Sequence, residues 1–589
     1  MTTPGGTPAL TLTSADLAAL ADGGDDQRRP LEKVYAGQLI KHKLLICAVA
    51  RFGGQAVPAA AATLREHYDL LAAAERTAPD AVAAVLRYPH VGAWAAQSMR
   101  RLSRDPGSAA ATLGYLGAIA ASAAIRAGHA CSVSLRLADG ALTLPALGRA
   151  VLPGTRATVT VSGPADATIA AGGQVIAIPP GPGADVPGWQ AARVLAMGDR
   201  TLFLDDLDPH RSYEPYPLPG RLGDRDVAHW QQALDEAWRL LARYHPGYAA
   251  ALRSGLRSLV PIGRQADDRN VSATSGDAFG AVAASIPSDG AALAVALMHE
   301  FQHAKLCAVN DLEPLASRQA TQLFYAPWRP DPRPAGALLH GIFAHIAVAD
   351  FWRVHRHVAT DEESLLAHVE FARWLGQTHY AASLLDGHDA LTAAGRQLLS
   401  QVMARLTAWL EEPVPSPARQ LAEETAADHL SCWRLRNLEP EPGDVERLAR
   451  DWHAGRPGHG VVRTRMRAEP LMAGRNVRPD LLYLRLRDPA RFDRDDAASA
   501  DAPDAAYARG DHTAAARGYL AQLRDDPARL HAWTGLGIAT GAHGALTRCP
   551  EVAYALQNRI ARDREPLADP LRLARWLSRV WTRDLGVQV

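Results

Sequence analysis

The sequence predicts a mainly helical α+β fold. Apolar residues recur at the three-to-four spacing of amphipathic helices over about residues 14–127 and again over about residues 227–450. Between them, residues 131–208 contain alternating runs such as Ser-Val-Ser-Leu-Arg-Leu at 132–137, a pattern typical of half-buried strands. Helical periodicity returns after residue 505. Helices on either side of a β-rich insert are therefore expected.

Changes in composition divide the chain into five regions. A chain of 589 residues is long enough for two to four domains. Asp, Ala and Pro are concentrated at residues 488–504, a composition typical of a linker. The expected regions are an N-terminal helical region (1–130), a β-rich region (131–215), a second helical region that contains an HExxH pattern (216–460), a connecting segment (461–504) and a helical tail (505–589).

Charge and cysteine content narrow the class of protein. Lys+Arg and Asp+Glu both total 63, so the overall charge does not favour nucleic acid or an anionic membrane as a partner. The five cysteines are scattered without a CxxC pair, which indicates a reducing compartment without a disulfide framework. No basic segment followed by an apolar core opens the chain, and no stretch of 18 apolar residues is uninterrupted. A cytoplasmic protein is expected.

The tail resembles a tetratricopeptide repeat. Small residues at Gly510 and Ala514 allow two helices to cross closely, and Asp526-Pro527 marks the boundary to a second helical pair. One repeat and a fragment are visible. Such a hairpin could bind a peptide, but a helical cap on the main domain is the simpler interpretation.

The most informative motif is an HExxH pattern at His299, Glu300 and His303. Residues 291–309 are alanine-rich and contain no Gly or Pro, which favours a helix. Residues i and i+4 share one face of a helix, so both imidazoles can reach one metal ion. Glu300 is next to the first ligand, where a carboxylate can handle a proton. The alternative is two core histidines satisfied by hydrogen bonds.

A third ligand is expected on the next predicted helix, over residues 335–358. It follows a proline-rich segment, 325–334, that favours an extended loop. His340 and His345 are about 140° apart on a helical wheel, so only one of them is expected to join the metal. His340 is preferred because its face carries small residues that allow close helix packing, His345 is second and Asp350 is third. Each could instead be a hydrogen-bonded core residue.

An ordered set of short motifs over roughly residues 10–450 resembles one family. It is the HExxH-motif peptide-modification family of gene clusters for ribosomally synthesised peptides. The matching segments are Leu12-Thr13-Ser14-Ala15-Asp16-Leu17, Leu204-Asp205-Asp206-Leu207-Asp208-Pro209, Trp230 to Trp238, Ala278-Phe279-Gly280, His299 to His303 with Lys305-Leu306, Pro327-Trp328-Arg329, Asp331-Pro332-Arg333-Pro334, Leu339-His340-Gly341 and Asp350-Phe351-Trp352.

The resemblance implies an activity and a core. Members of this family were first described as zincin-like, so a zincin-like HExxH helical core is implied. They are understood as iron(II)- and α-ketoglutarate-dependent dioxygenases that hydroxylate the β-carbon of a residue in a precursor peptide. The implied cofactors are therefore Fe(II) and α-ketoglutarate, with zinc as the alternative metal. The implied partner is a ribosomally synthesised precursor peptide, and RiPP biosynthesis is the implied context.

The residues present allow that chemistry. Such an oxygenase needs about three protein ligands on one side of the metal and open positions on the other. The distal carboxylate of the ketoacid calls for a cation, and arginine offers bidentate geometry. The candidates are Arg329, which is preferred, and Arg333, Arg353 and Arg356. Arg329 could instead stack on Trp328 or pair with Asp331.

The substrate is expected beside a predicted strand over residues 278–285. Main-chain pairing could bind an extended peptide there. The candidate contacts are Phe279, Gly280, Ala281 and Val282. Two other functions stay open: a zinc metallopeptidase with Glu300 as general base, and a metal-stabilised protein that binds a peptide without chemistry.

Overall fold

The secondary structure is mainly helical, with 61% of the residues in helices and 13% in strands. This confirms the mainly helical α+β class. The computed structural model describes residues 10–24, 27–179, 181, 183, 185–263, 270–472, 476–496, 502–541, 544–562 and 569–580. The chain divides into two compact units, one of Met1–Leu315 with Ala393–Gln401 and one of Ala316–Thr392 with Val402–Val589.

The first unit contains ten helices and twelve strands in its described residues, besides the start of α13. The helices are α1 (Ser14–Asp22), α2 (Arg28–Ala56), α3 (Ala61–Thr77), α4 (Pro79–Leu86), α5 (Pro89–Arg104), α6 (Pro106–Leu113), α7 (Tyr115–Ala127), α8 (Asp224–Tyr244), α9 (Pro246–Gly255) and α10 (Gly290–Leu312), with a short 3-10 helix at Pro58–Ala60. The strands are β1 (Cys131–Arg136), β2 (Ala141–Leu144), β3 (Gly148–Val151), β4 (Arg156–Gly163), β5 (Asp166–Ala171), β6 (Gln174–Ala177), β7 (Trp189–Ala191), β8 (Arg193–Met197), β9 (Arg200–Leu204), β10 (Ser258–Pro261), β11 (Ser272–Ala273) and β12 (Ala281–Ala284).

Three sheets organise these strands. One has the order β1-β4-β5-β6 and another the order β2-β3-β7, and all their pairings are antiparallel. The third has the order β11-β12-β10-β9-β8, in which β9, β10 and β12 are parallel neighbours and both outer strands are antiparallel. The predicted alternation holds in β1, where Val133 and Leu135 are buried and their neighbours face outward.

The helices begin where side chains can satisfy their first amide groups. Thr13 and Asp16 form a reciprocal capping box before α1, with Thr13 N donating to the Asp16 carboxylate over 2.8 Å. Asp289 caps α10 by accepting from Ala292 N over 2.7 Å. The cap and the alanine-rich run explain why the predicted motif helix forms.

The second unit contains the remaining elements. They are β13 (Leu323–Phe324), β14 (Arg333–Pro334), α11 (Ala335–His355), α12 (Asp361–Ser383), α13 (Ala393–Leu410, whose first part belongs to the first unit), α14 (Ser416–Asn437), β15 (Leu438–Pro440), α15 (Pro442–His453), β16 (Thr464–Met466), α16 (Arg478–Arg487), α17 (Pro489–Arg491), a π-helical turn (Phe492–Asp496), α18 (Ala502–Ala508), α19 (His512–Asp525), α20 (Leu530–Thr540), α21 (Ala545–Arg548), α22 (Pro550–Arg562) and α23 (Pro570–Val580).

A buried ion-pair network joins the tail helices to the rest of this unit. The side chain of Arg478 has no exposed surface, and its Nη2 donates to Asp428 over 2.6 Å. Its Nη1 lies 3.4 Å from the Asp504 carboxylate, which also contacts His531 at 2.7 Å. Because Asp428 lies on α14 and Asp504 on α18, the network fastens the start of the tail to the preceding helices.

Two stretches among the described residues are long and apolar enough to cross a membrane by length and composition. They are Pro106–Ala127 and Ala335–His355. In the most apolar part of each stretch, 61% of the first and 78% of the second is buried inside the fold. Burial of this kind is typical of core helices in a soluble protein. The five expected regions remain a description of sequence character, and the boundary between the two units falls inside the region 216–460.

Candidate metal centre

The HExxH motif lies in the middle of α10, which is held firmly at both of its ends. Near its start, a Cβ on Gly290 would come within 2.3 Å of the Glu236 side chain, so the helix packs closely on α8. Beyond the motif, Lys305 is 1% exposed and donates to Gln27 over 3.1 Å and to the Leu20 carbonyl over 3.4 Å. The motif therefore belongs to a fixed element.

The two histidines of the motif lie one turn apart, as the sequence predicts. The ring centroids of His299 and His303 are 4.7 Å apart and the rings are nearly perpendicular, at 87°. The His299 side chain is 19% exposed, and its Nε2 lies 4.0 Å from Glu300 Oε1. Two imidazoles on one helix face with a carboxylate beside them suit a divalent transition metal.

Glu300 is held by two hydroxyl groups that the sequence analysis did not single out. Ser272 Oγ donates to Glu300 Oε1 over 2.7 Å, and Thr274 Oγ1 to Oε2 over 2.7 Å, while Thr274 Oγ1 also lies 3.0 Å from the Glu300 carbonyl oxygen. Glu300 is 4% exposed. Both oxygens of its carboxylate thus accept hydrogen bonds from β11 and the residue after it. Hydroxyl groups at i and i+2 share one face of a strand, and this spacing is the only sequence signal for the contact.

The charge of Glu300 also affects the pKa of a buried phenol, that of Tyr213. Tyr213 is 5% exposed, and its hydroxyl has no hydrogen-bond partner among the described residues. Burial, with the charges of Asp205, Glu300 and Asp208, holds the pKa of Tyr213 well above its usual range. The phenol therefore stays protonated and remains a donor.

The predicted strand before the motif helix exists, but it is not an edge strand. It is β12, which pairs with β10 on one side and with β11 on the other. Strand β10 covers one side of β12 along its whole length, whereas β11 pairs only with Ala283 and Ala284 on the other side. Main-chain pairing of a peptide with this strand therefore stays a prediction, restricted to the side of Ala281 and Val282 that β11 leaves uncovered. Among the described strands, β11 forms this edge of the sheet.

The four predicted substrate contacts lie in and just before β12. The Phe279 ring packs 5.5 Å from Tyr35 and 6.4 Å from Phe301. Gly280 has a φ of 90°, and a Cβ there would come within 2.8 Å of a carbonyl oxygen, so only glycine fits. Ala281 and Val282 are fully buried. Whether any of the four touches substrate stays a prediction.

The three predicted third ligands lie on α11, in the second unit. Burial lowers the pKa of His340, which favours the neutral form that binds metals. Asp350 is held by two guanidinium groups, from Arg353 at 2.9 Å and from Arg405 at 3.2 Å. Since those cations satisfy its carboxylate, Asp350 is the least suitable ligand of the three.

His345 has a fixed orientation. Its ring stacks on Trp328, with centroids 4.1 Å apart and an angle of 16°, and lies 4.7 Å from Trp374. Its Nδ1 donates to the Gly341 carbonyl over 2.8 Å, which places the lone pair of the neutral ring on Nε2. Trp328 in turn packs against Gly341, where a Cβ would come within 2.2 Å of the indole. Trp328 and Gly341, which belong to two different short motifs, therefore act together: their close packing positions the indole that stacks on His345.

The four arginines predicted to anchor a ketoacid all have carboxylate partners. Arg329 and Arg333 contact Asp331 at 2.8 and 3.2 Å. Arg353 and Arg356 contact Glu412 at 3.3 and 2.5 Å.

Arg353 also pairs with Asp350, and the Arg356 side chain, which has no exposed surface, lies 3.9 Å above the Phe371 ring. A cation that already has a carboxylate must give it up to bind a second one, which weakens each candidate. The anchor assignment stays a prediction.

A second group of potential metal ligands was not predicted from the sequence. The ligand atoms of His90, Asp205 and Asp208, all buried, lie within 4.8 Å of one another. His90 Nδ1 is 2.6 Å from the Asp205 carboxylate, which also accepts from the Tyr88 hydroxyl. Tyr115 donates to Asp208 over 2.5 Å. Asp205 and Asp208 lie in the Leu-Asp-Asp-Leu-Asp run after β9, where aspartates three residues apart were the only sequence signal.

Electrostatics explains how the buried charges of this cluster are balanced. Burial alone would raise the pKa of Asp205, but the charge of His90 and several hydrogen bonds hold it below its usual range. Burial and the Asp205 charge raise the pKa of Asp208 to about 6. When Asp208 takes up a proton, one carboxylate and one imidazolium remain charged, in a network whose carboxylates already have hydrogen-bond donors.

Comparison with known proteins adds no assignment: no protein-family model and no curated protein sequence matches this chain.

Proposed function

We propose that the chain is an iron(II)- and α-ketoglutarate-dependent dioxygenase that hydroxylates the β-carbon of a side chain in a ribosomally synthesised precursor peptide. The order of the short motifs supports the family, and the facing rings of His299 and His303 support the metal. When bound, iron(II) and α-ketoglutarate supply the oxidising power that inserts one atom of O₂ into a C–H bond. The protein's part is to hold the metal, the ketoacid and the peptide.

The observation that carries the proposal over a zinc peptidase is the fixed carboxylate of Glu300. A peptidase needs this group as a general base on the metal-bound water. Here both of its oxygens accept hydrogen bonds from Ser272 and Thr274 at 2.7 Å. Because those bonds hold the carboxylate toward β11, they favour a role in positioning α10 over proton transfer. An oxygenase requires no base at this position.

Two ligand sets remain in the proposal. His340 is the third ligand that the sequence favours, and its burial keeps it neutral. The hydrogen bond from His345 Nδ1 to a carbonyl supports His345, because metal-binding histidines usually donate their other ring nitrogen in this way. Metal affinity distinguishes the two candidates. The metal content of the variants His340→Ala and His345→Ala is compared, and the histidine whose replacement loses more of the bound metal is the ligand.

The finer features of the fold belong to the same proposal. A zincin-like core is supported by α10 following a mixed sheet whose described edge is β11. A tetratricopeptide-like tail is supported by α18, α19 and α20 and by Gly535, where a Cβ would come within 2.4 Å of the Tyr519 ring. We place the protein in the cytoplasm, where a precursor peptide is made and where scattered thiols stay reduced.

The test uses the full chain, purified anaerobically and loaded with iron(II). The substrate is the peptide encoded by a small open reading frame beside the gene. With α-ketoglutarate and O₂, mass spectrometry is expected to show a gain of one oxygen atom on a β-carbon, with succinate formed in equal amount. The His299→Ala variant and a reaction without ketoacid are the controls, and neither should produce the mass gain.

Two outcomes would contradict the proposal. Peptide fragments formed with zinc and without ketoacid or O₂ would identify a peptidase. Peptide that binds but gains no mass under any of these conditions would identify a binding protein without chemistry.

A further inference from the structure

One partly buried arginine of the second unit has its nearest ion-pair carboxylate only at 4.0 Å. Arg373 on α12 donates from Nη1 to the Tyr483 hydroxyl over 3.0 Å, and its guanidinium lies 4.6 Å from the Trp374 ring centroid. Its Nε is buried and has no hydrogen-bond partner among the described residues. The nearest carboxylate in an ion pair, that of Glu370, is 4.0 Å away and already accepts from Trp374 Nε1 over 2.8 Å.

The other buried arginines of this unit differ from it. Arg478 has Asp428 at 2.6 Å, and Arg434 donates from Nε to Glu551 over 3.2 Å. Leaving a buried charged donor without an acceptor is costly, so a folded protein normally provides one. Arg373 therefore has one N–H group to which an anion could bind. Its side chain as a whole is 21% exposed, although Nε itself is buried.

A second unsatisfied donor lies one turn further along the same helix. Gln377 is 4% exposed, and neither Nε2 nor Oε1 of its amide has a hydrogen-bond partner among the described residues. Residues i and i+4 face the same side of a helix, so its amide follows the Arg373 guanidinium along α12. A carboxylate that accepts from Arg373 Nε with one oxygen and from Gln377 Nε2 with the other would satisfy two of these three atoms.

Two titratable groups near Arg373 are neutral. Burial, together with the charge of Arg373, lowers the pKa of His429 on α14 to about 4, so this imidazole is neutral. Burial raises the pKa of Tyr483 to about 12, so the phenol is neutral as well. The carboxylates that act on Arg373 are those of Glu370, which Arg487 also approaches at 3.9 Å, and of Asp480.

We infer that Arg373 and Gln377 form a carboxylate-binding site, and that it takes the distal carboxylate of α-ketoglutarate. The assignment of the ketoacid rests on the proposed function, whereas the carboxylate site rests on the unsatisfied donors. Trp374, the indole beneath the guanidinium, also packs on His345, a proposed metal ligand. The site thus adjoins a residue that the proposed reaction uses.

The test measures ligand binding to the metal-free full chain by calorimetry, with α-ketoglutarate and with glutarate, which keeps both carboxylates but has no keto group. Arg373→Met is expected to weaken the binding of both dicarboxylates about 10- to 100-fold, the usual effect of losing a charged hydrogen-bond pair. Gln377→Leu is expected to weaken it less. Arg419→Met, an exposed arginine at the start of α14, is the matched control and should leave affinity unchanged.

Each outcome decides the inference. Unchanged affinity for both dicarboxylates in a folded Arg373→Met variant would overturn it, as would a wild-type protein that binds neither α-ketoglutarate nor glutarate. A second outcome combines two results: the Arg373→Met variant loses glutarate binding, and the wild-type protein never hydroxylates a peptide. This outcome would support the carboxylate site and refute only the proposed reaction. Circular dichroism of every variant separates a lost site from a lost fold.

Discussion

Removing the hydroxyl groups that hold Glu300 should loosen the motif helix. In Ser272→Ala one bond of 2.7 Å to the carboxylate is lost, and in Thr274→Val a second bond of 2.7 Å is lost together with a 3.0 Å contact to the Glu300 carbonyl. Hydrogen bonds to charged groups contribute about 1.5–3 kcal/mol each. Water cannot easily replace them, because Glu300 is 4% exposed.

Hydrogen–deuterium exchange of the amides of α10 is the suitable assay, because a chain with two compact units need not unfold in one step. A loss of about 1.5–3 kcal/mol corresponds to exchange that is roughly 10- to 150-fold faster. The double variant should lose less than the sum, since both bonds share one carboxylate. Thr63→Val, at an exposed threonine on α3, is the control.

Exchange within about twofold of wild type in both single variants would refute the idea that β11 fixes Glu300. A fall in peptide hydroxylation without faster exchange would point to a direct role of the hydroxyl groups in the reaction.

Three further outcomes are expected. His299→Ala and His303→Ala should each abolish retention of the metal, measured by elemental analysis after dialysis, because a two-ligand remnant loses chelation; wild-type retention in either variant would refute the helix-face argument. Gly341→Ala should lower the melting temperature, since the added methyl group would come within 2.2 Å of Trp328 and overpacking usually costs about 1–3 kcal/mol; an unchanged melting temperature would contradict the close packing. The pKa of Asp208 is raised in the folded protein to about 6 from 3.8, so the folded state binds the extra proton between these values and stability should fall as the pH rises from about 4 to 6. Asp208→Asn should reduce this fall in melting temperature, and a variant with the wild-type pH dependence would show that another group causes it.

Features that depend on near neighbours in the chain were predictable. The HExxH helix follows from an alanine-rich run with an aspartate cap, and the facing histidines follow from the helical repeat. The alternation in β1 follows in the same way from the period of a strand. The pairing of Arg329 with Asp331 was one of the alternatives weighed, because the two are only two residues apart.

Contacts between distant segments were not predictable. Ser272 and Glu300 are 28 residues apart, and serine and threonine are too common for their positions to indicate a partner. The position of β12 inside its sheet was not predictable, because sheet order, unlike strand character, depends on which distant strands pair. Arg373 attracts no notice in the sequence, since a lack of partners becomes visible only in the folded chain.

The Arg478 network has a practical consequence for anyone who shortens this chain. The change of composition at residues 488–504 suggests a place at which to cut off the tail as a separate module. A protein that ended before α18 would keep Arg478 and Asp428 but lose Asp504, and the arginine would then have one acidic neighbour in place of two. A buried charge that loses a partner is strongly destabilising. The shortened protein should therefore express poorly unless the arginine is replaced as well.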